Sequence, residues 1–190
     1  MSSPDLSLLP AAARRPAADP RARRRRAAAW LGAFALACAC PAVAPAAVAL
    51  GAPFPKLAPS DLTGGALPAT SGKVVLVDFW ASWCAPCKAS FPAYAKLFAD
   101  YAARGLVIVA VSVDENTAAY AAFVQRFRPP FAALHDRQQL LVRAVNVPAM
   151  PTCYLVGRDG RVRFVHAGFH GTDTERELRR EIDALLAERR

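Results

Sequence analysis

The sequence predicts an α/β domain in which helices flank a central mixed β-sheet, and three features of the chain support that class. Residues 74–79 and 106–113 are two apolar runs of strand length, and a helix-periodic segment joins them. That order is typical of a parallel β-α-β unit whose strands are covered on both faces. Later in the chain, residues 153–156 and 161–166 flank a Gly-Arg-Asp-Gly turn. This pattern predicts an antiparallel hairpin, which makes the sheet mixed.

The first elements of the domain are predicted to be a small hairpin, the first core strand and a long helix. A Gly-Gly turn within residues 61–66 separates short apolar pieces, which predicts a hairpin at the N-terminal side of the domain. After the strand, Gly105 marks the end of the helix, and Pro92 predicts a kink inside it. Apolar side chains at helical spacing mark its buried face: Phe91, Tyr94, Ala95, Phe98, Tyr101 and Ala102.

An inserted α-β unit is predicted between residues 117 and 134. Its helix ends at two consecutive prolines, and residues 131–134 follow as a short strand. Residues 138–145 then predict a short helix before the C-terminal hairpin. The helix of the inserted unit is recognised by one amphipathic face: Tyr120, Phe123, Val124 and Phe127.

The last helix is predicted to begin at Thr172 or Thr174. Each threonine is followed three residues later by Glu, which is the pattern of a capping box. The buried face of this helix is predicted from its apolar positions: Leu178, Ile182, Leu185 and Leu186.

Two cysteines separated by two residues follow the first core strand, at the predicted start of the long helix. Unpaired N–H groups and the helix dipole stabilise a thiolate there, and this spacing suits a reversible disulfide. Cys84 is the predicted nucleophile, and Cys87 is the predicted resolving thiol. The alternative, half of a zinc site, needs a second Cys/His pair at ligand spacing. The remaining candidates form no such pair: Cys153, His135, His166 and His170.

Two polar side chains lie within the predicted core strands. Asp78 interrupts an apolar run, so it is either a solvated residue at the strand edge or a buried acid with a raised pKa. Cys153 lies in a later core strand and is predicted to be a buried, inert thiol, since free cysteine is among the most buried residue types. The three histidines leave copper binding open as an alternative, although lone histidines on strand ends and loops are more often structural.

Residues 1–49 have the layout of an export signal. Residues 21–26 contain five arginines, and the uncharged apolar stretch 27–40 follows them. That stretch is too short to span a bilayer comfortably. Small residues suited to signal cleavage come next: Ala44-Pro45-Ala46 and Ala47-Val48-Ala49.

Other fates of this leader stay open. The apolar stretch runs on to Leu50, so the leader could be retained as a membrane anchor, and the arginines could serve a twin-arginine route. Acylation at Cys38 or Cys40 is a further alternative. Residues 50–60 contain three prolines and predict a tether, which leaves 61–190 as the folded domain.

The formal net charge of +9 is unevenly distributed along the chain. Residues 1–46 carry seven Arg and two Asp, a net charge of +5, which leaves +4 on residues 47–190. The body shows no stripe of Lys and Arg with interleaved aromatic residues. We therefore expect no nucleic-acid partner.

Two stretches of the chain resemble the thioredoxin superfamily. Residues 77–81 (Val-Asp-Phe-Trp-Ala) and 83–88 (Trp-Cys-Ala-Pro-Cys-Lys) resemble its active-site region, and residues 150–152 (Met-Pro-Thr) resemble its cis-proline loop. The resemblance extends over about residues 57–188 and implies a thioredoxin-like fold. The inserted α-β unit, the N-terminal hairpin and the export signal together resemble the TlpA/ResA-like branch of exported thiol-disulfide oxidoreductases.

The resemblance implies a role for each residue of these motifs. Cys84 and Cys87 are implied to form the catalytic pair, whose disulfide is the redox group, with no metal and no other cofactor. Asp78 is implied to be the buried acid that moves protons to and from the resolving thiol. Pro151 is implied to be cis and to lie against the cysteine pair. The residues implied to contact a client protein are Trp83, Pro86, Met150, Pro151 and Thr152.

The implied activity is reduction of disulfides in other exported proteins, by a monomer whose electrons come from a membrane electron-donor thiol protein. Many members of the branch carry Asn where this chain has Asp78, and several carry Glu where it has Ser90, which argues against a dedicated role in cytochrome c maturation. Two alternatives stay open. A peroxiredoxin-like peroxidase shares the added elements, but its T-x-x-C setting is missing here. A copper-binding assembly factor would use Cys84, Cys87 and a histidine or Met150.

Overall fold

The computed structural model describes residues 48–58 and 60–188, which fold into five strands and four α-helices. The strands are β1 (Val74–Trp80), β2 (Leu106–Ser112), β3 (Ala132–His135), β4 (Thr152–Val156) and β5 (Val162–Ala167). The α-helices are α1 (Ala85–Tyr101), α2 (Thr117–Phe127), α3 (Leu140–Val145) and α4 (Thr172–Ala187). One turn of 3₁₀ helix, Ala102–Arg104, follows α1.

The five strands form one mixed sheet in the order β3-β2-β1-β4-β5. β1 pairs in parallel with β2, and β2 pairs in parallel with β3, whereas β4 runs antiparallel to both β1 and β5. All seven residues of β1 are buried, as expected of a central strand covered on both faces. The predicted α/β class and mixed sheet are confirmed, and the predicted α-β insertion is present as α2 and the edge strand β3.

Helix α1 begins directly at the cysteine pair. Cys84 is its N-cap, and Pro86 lies in the first turn, where a missing N–H removes no intrahelical hydrogen bond. The helix runs on through Pro92. Its buried side chains include Leu97, which the predicted apolar face left out. Gly105, with φ of 106°, ends the 3₁₀ turn in the left-handed conformation that favours glycine.

An aromatic cluster packs α1 and α2 against the end of β1. The ring centroid of Trp80 lies 4.2 Å from that of Phe123 and 5.0 Å from that of Phe91. Phe127 and Phe131 extend the cluster through their contacts with Phe91. Such rings bury large apolar areas. The cluster therefore fixes the C-terminal end of β1, from which the chain passes into the cysteine pair.

The N-terminal hairpin predicted at residues 61–66 is wrong. In that part of the chain the structure has one isolated bridge, between Thr63 and His135 of β3, and no strand. Gly64 adopts a φ of 90°, and a Cβ atom there would lie 2.1 Å from the hydroxyl of Tyr120. The glycine thus permits a close approach to α2 rather than a hairpin turn. The segment pairs with the edge of the sheet instead of with itself.

The capping box predicted for the last helix is also wrong. Gly171 is the N-cap of α4 and has no side chain to accept a hydrogen bond. Thr174 lies inside the first turn, where its hydroxyl accepts a hydrogen bond of 3.0 Å from the backbone N–H of His170. A φ of 66° at Gly171 sets the direction in which the chain enters the helix, so neither threonine occupies the cap.

The predicted export signal lies outside the described residues, apart from Val48 and Ala49, and so do Cys38 and Cys40. Residues 51–54 of the predicted tether run alongside the start of β5. The backbone N–H of Gly51 donates to the carbonyl of Val162, and that of Phe54 donates to the carbonyl of Gly160. No helix in the described part of the chain is long and apolar enough to cross a membrane.

Candidate active site

Cys84 and Cys87 form a disulfide at the N-terminus of α1. The Cys87 backbone N–H donates a hydrogen bond of 3.2 Å to Cys84 Sγ, which places that sulfur in the N-cap position. Cys87 is fully buried, Cys84 keeps a small exposed area, and Trp83 beside it is 69% exposed. Pro86 is also exposed. Because N–H groups at a helix N-terminus favour negative charge, reduction of the disulfide leaves Cys84 well placed to be a thiolate.

The loop that precedes β4 lies at the same end of the strands as the cysteine pair. Phe79, near the end of β1, pairs with Thr152 at the start of β4. The Met150–Pro151 peptide bond in this loop is cis, and Met150 is partly exposed. Thr152, in contrast, is fully buried, and its hydroxyl donates a hydrogen bond of 2.8 Å to the carbonyl of Ala149. Thr152 therefore supports the loop from inside, and the client contact implied for this residue stays a prediction.

Asp78 lies inside the sheet, with Ala110 of β2 and Cys153 of β4 as its neighbours in register. Its side chain is fully buried. The hydroxyl of Tyr94 donates a hydrogen bond of 3.0 Å to Oδ1, whereas Oδ2 has no hydrogen-bond partner among the described residues. Burial raises the pKa of Asp78 well above its ordinary value, and the Tyr94 hydrogen bond offsets part of that rise. The alternative of a solvated strand-edge residue is excluded.

Cys153 is a free, buried thiol, as predicted. Burial raises the pKa of this thiol, and the neighbouring carboxylate of Asp78 raises it further. The thiol therefore stays protonated at neutral pH and is a poor nucleophile. Burial is the main cause of a raised pKa at Tyr94, and interactions with Asp78 and then Cys153 raise it further, so the three side chains form one buried group. We refer to Asp78, Tyr94 and Cys153 as the Asp78 cluster.

A second buried carboxylate, Asp114, was not identified from the sequence. Its two oxygens accept hydrogen bonds of 3.1 and 3.0 Å from the backbone N–H of Ser82. They also accept bonds of 2.8 Å each from the hydroxyls of Ser82 and Ser112. Ser82 directly precedes Trp83 and Cys84, so these bonds hold the loop that presents both residues. We refer to Ser82, Ser112 and Asp114 as the Asp114 cluster.

Two of the three histidines have clear structural partners. His135 Nε2 lies 2.6 Å from the carbonyl oxygen of Asp114, and its ring stacks on Tyr120 at 4.7 Å between centroids. His166 Nε2 lies 2.6 Å from Glu181 Oε2. Within residues 48–58 and 60–188, no group of three or more His, Cys, Asp or Glu side chains is arranged to hold a metal ion.

Comparison with known proteins identifies the family. The sequence profile of the Redoxin family matches residues 43–182. The chain belongs to the Redoxin family. The thiol-disulfide oxidoreductase ResA of Geobacillus kaustophilus is 33% identical to this Redoxin chain over 141 residues, which cover 73% of the chain and 79% of the relative. ResA of Geobacillus thermodenitrificans is 32% identical over the same shares of both proteins.

Solved structures place the Redoxin domain among thioredoxin-like folds. A Chlorobium tepidum protein assigned as a thiol:disulfide interchange protein DsbE is 36% identical, with a TM-score of 0.60 over 62% of this chain and 83% of that one. The thioredoxin domain of a Bacteroides vulgatus thiol-disulfide oxidoreductase matches with a TM-score of 0.60 over 72% of this chain and 99% of its own. At 18% identity, that match bears on the fold alone. The thioredoxin-like fold is confirmed.

The predicted enzyme class is confirmed as well. The family, its relatives and the Cys84–Cys87 pair together are those of a thiol-disulfide oxidoreductase.

Proposed function

We propose that this Redoxin domain reduces disulfides in exported client proteins through the dithiol of Cys84 and Cys87. The observation that carries the proposal is the unequal placement of the two cysteines. Cys84 lies at the N-cap beside the exposed Trp83, whereas Cys87 is fully buried in the first turn of the same helix. A client disulfide can therefore approach the first sulfur and not the second, which is the division of roles that thiol-disulfide exchange needs.

Reduction begins when the Cys84 thiolate attacks one sulfur of the client disulfide. A mixed disulfide forms, and the other client sulfur leaves as a thiolate that takes a proton from water. Cys87 then gives up its proton to an acceptor group, attacks Cys84 Sγ and releases the second client sulfur as a thiolate, which takes its proton from water. The client gains two electrons and two protons, and the domain ends with the Cys84–Cys87 disulfide.

Asp78 is the proposed acceptor for the proton of Cys87. Its raised pKa brings the carboxyl group toward the operating pH, where it can both take and return a proton. Cys153 lies beside it but keeps its own proton, because burial raises the pKa of that thiol. Within the Asp78 cluster, Asp78 is therefore the group suited to accept a proton.

The client is proposed to bind across two loops at the same end of the strands, the loop after β1 and the loop before β4. Trp83 and Pro86 are exposed beside Cys84, and Met150 is partly exposed on the loop before β4. An extended client segment can pair with the backbone of the loop around Pro151 while its disulfide meets Cys84. The exposed side chains beside Cys84 suit contact with a protein client.

Each turnover leaves the domain oxidised, so an external reductant is required. We propose that a membrane electron-donor thiol protein reduces the Cys84–Cys87 disulfide by the reverse exchange. The domain is expected to act as a monomer, since one chain supplies both cysteines and both loops.

Trapping of client proteins tests the assignment of the two cysteines. Cys87→Ser should accumulate mixed disulfides with clients, because the resolving thiol is missing. Cys84→Ser should accumulate none, because the remaining thiol is buried. Both variants should be expressed in the exported compartment and compared on non-reducing gels, with Cys153→Ala as the matched control that leaves the pair intact. Equal amounts of mixed disulfide in both cysteine variants, or none in either, would contradict the assignment.

Export is proposed from the leader, with its arginine cluster, apolar stretch and cleavage candidates at residues 21–49. An alkaline phosphatase fused to the C-terminus should be active, because that reporter folds only after export. A matched fusion that lacks residues 1–49 should be inactive. Equal phosphatase activity in both fusions contradicts export by this leader, and N-terminal sequencing of the exported fusion distinguishes cleavage from retention.

A further inference from the structure

Tyr94 is the member of the Asp78 cluster that has no role in the proposed reaction as described above. Its side chain is fully buried on α1, and its hydroxyl donates to Asp78 Oδ1 over 3.0 Å. Burial and the nearby carboxylate raise the pKa of Tyr94 well above its ordinary value. The hydroxyl therefore keeps its proton and acts as a donor at any pH at which the reaction runs.

The position of Tyr94 links Asp78 to the resolving cysteine. Tyr94 follows Cys87 by seven residues on α1, and both side chains are buried. Seven residues are close to two helical turns, so the two side chains lie on the same face of the helix. Asp78 contacts that face through Tyr94. Asp78 thus meets the buried face of α1 on which Cys87 also lies.

Among the described residues, the strand neighbours of Asp78 carry no positive charge that would stabilise an ionised carboxylate. Ala110 flanks it on β2 and Cys153 flanks it on β4. The charge of Glu181 on α4 raises the pKa of Cys153, and the Glu181 side chain is paired with His166 of β5.

Among the described residues, the Tyr94 hydroxyl is the one hydrogen-bond donor that reaches the Asp78 carboxyl group. The second carboxyl oxygen, Oδ2, has no hydrogen-bond partner within residues 48–58 and 60–188.

We propose that Tyr94 is a positioning residue for proton transfer: its hydroxyl holds Asp78 Oδ1 and leaves Oδ2 as the oxygen that takes the proton of Cys87. This inference rests on the proposed function and assigns a role to a side chain outside the cysteine pair. The proton moves from Cys87 Sγ to Oδ2, directly or through one water, as the sulfur attacks Cys84. The tyrosine neither gains nor loses a proton in the step.

Removal of the Tyr94 hydroxyl has a predictable sign. A hydrogen bond to a carboxylate favours its ionised form, and this bond lowers the pKa of Asp78 against the larger effect of burial. Tyr94→Phe should therefore raise the pKa of Asp78 further. Fewer Asp78 side chains would then be ionised at neutral pH, so resolution of the mixed disulfide should slow several-fold there and recover at higher pH.

The titration of Asp78 tests this directly in the reduced full-length protein without any client. Carbon-13 NMR of the Asp78 carboxyl group gives the titration midpoint for the wild type and for Tyr94→Phe. We expect a higher midpoint in the variant and a matching upward shift in the pH profile of resolution. A midpoint equal to that of the wild type overturns the inference.

Tyr101→Phe is the matched control. Tyr101 is a buried tyrosine on the same helix, and its hydroxyl donates a bond of 3.1 Å to the carboxylate of Asp183. This variant should leave the Asp78 midpoint and the pH profile unchanged. In an Asp78→Asn background, Tyr94→Phe should cause no further shift of the pH profile, whereas a further shift there would show that Tyr94 does not act through Asp78.

A second substitution covers the case in which Tyr94→Phe does not fold. A difluorinated tyrosine at position 94 retains the ring and has a more acidic hydroxyl, which makes it a stronger donor. It should lower the Asp78 midpoint, and an unchanged or higher midpoint contradicts the inference. Because the titration needs no client, failure of client trapping would overturn the proposed function and leave this result standing, and the reverse also holds.

Discussion

Asp78 and Asp114 are both buried, but the fold treats their carboxyl groups in opposite ways. Both oxygens of Asp114 accept hydrogen bonds, from the backbone and hydroxyl of Ser82 and from the hydroxyl of Ser112. Asp78 accepts a single bond from Tyr94, and its second oxygen has no partner in the described part of the chain. Both aspartates are at most 2% exposed, so the difference lies in their donors and not in their burial.

The difference separates an anchoring group from a reactive one. A buried carboxylate with a donor on each oxygen is held in one position, and losing it leaves those donors unsatisfied. A buried carboxyl group whose second oxygen has no donor can accept a proton on that oxygen, and burial favours the protonated form. Asp114 therefore serves the geometry of the loop that presents Trp83 and Cys84. Asp78 serves the proton transfer that the proposed reaction requires at Cys87.

The largest expected effect comes from removal of the anchor. Asp114→Ala leaves the Ser82 backbone N–H and the buried Ser112 hydroxyl without their acceptor. Unsatisfied buried donors cost about 1–3 kcal/mol each, so the free energy of unfolding should fall by about 3 kcal/mol. Urea denaturation followed by tryptophan fluorescence measures this change. Disulfide reduction should slow as well, since the loop before Cys84 is no longer held.

Asp159→Ala is the matched control for that loss. Asp159 also accepts several hydrogen bonds, from the backbone of Arg161 and the side chain of Arg163, but it lies at the surface. Its removal should leave the urea midpoint near that of the wild type, because water replaces the lost partners. If Asp114→Ala and Asp159→Ala have equal midpoints, the Asp114 cluster is not an anchor and the comparison fails.

The sequence allowed prediction of those features that depend on periodicity and on short motifs. The apolar run around Asp78, the cysteine pair and the paired strands predicted at 153–156 and 161–166 were all recognisable along the chain, and each strand lies within one residue of its prediction. The sequence also reduced Asp78 to two alternatives, since a lone carboxylate in an apolar strand is either solvated at the edge or buried with a raised pKa, and the structure shows it buried. In each case the residues that decide the structure lie within a few positions of one another.

Features that depend on contacts between distant segments were missed. Ser82 and Asp114 are 32 residues apart, and the only local signal for their contact was a Ser-Val-Asp sequence after an apolar strand. Tyr94 was placed on the buried face of its helix, but nothing in the helix pattern indicated that its hydroxyl reaches Asp78. The Gly-Gly turn was misread for the same reason, because Gly64 is there to clear Tyr120, more than fifty residues away in sequence.

The smaller expected effect, and the sharper test of the comparison, comes from Asp78→Asn. The amide keeps an oxygen for Tyr94 to donate to but can no longer accept the proton of Cys87. Disulfide reduction, measured with insulin, should therefore slow several-fold at neutral pH while the fold is retained. This is the reverse of the pattern expected for Asp114→Ala, in which the loss is mainly one of stability.

The pH dependence of stability gives the second half of the test. Because burial raises the pKa of folded Asp78, the folded state retains a proton that the unfolded state has released. Stability is then full below the unfolded pKa of about 4 and falls as pH rises toward the folded pKa. Asp78→Asn removes this fall, so its urea midpoint should exceed that of the wild type increasingly as pH rises above about 4.

Asp183→Asn provides the control for both measurements. Asp183 likewise accepts a tyrosine hydroxyl, that of Tyr101, but its side chain is 51% exposed. That side chain also pairs with Arg104 at 2.9 Å at the surface, so it lacks the burial of Asp78, and its replacement should cause neither the slower insulin reduction nor the growing gain in urea midpoint. If Asp78→Asn behaves as Asp183→Asn does, the free oxygen of Asp78 has no role in proton transfer. The two buried carboxyl groups would then differ in their hydrogen bonds and not in their function.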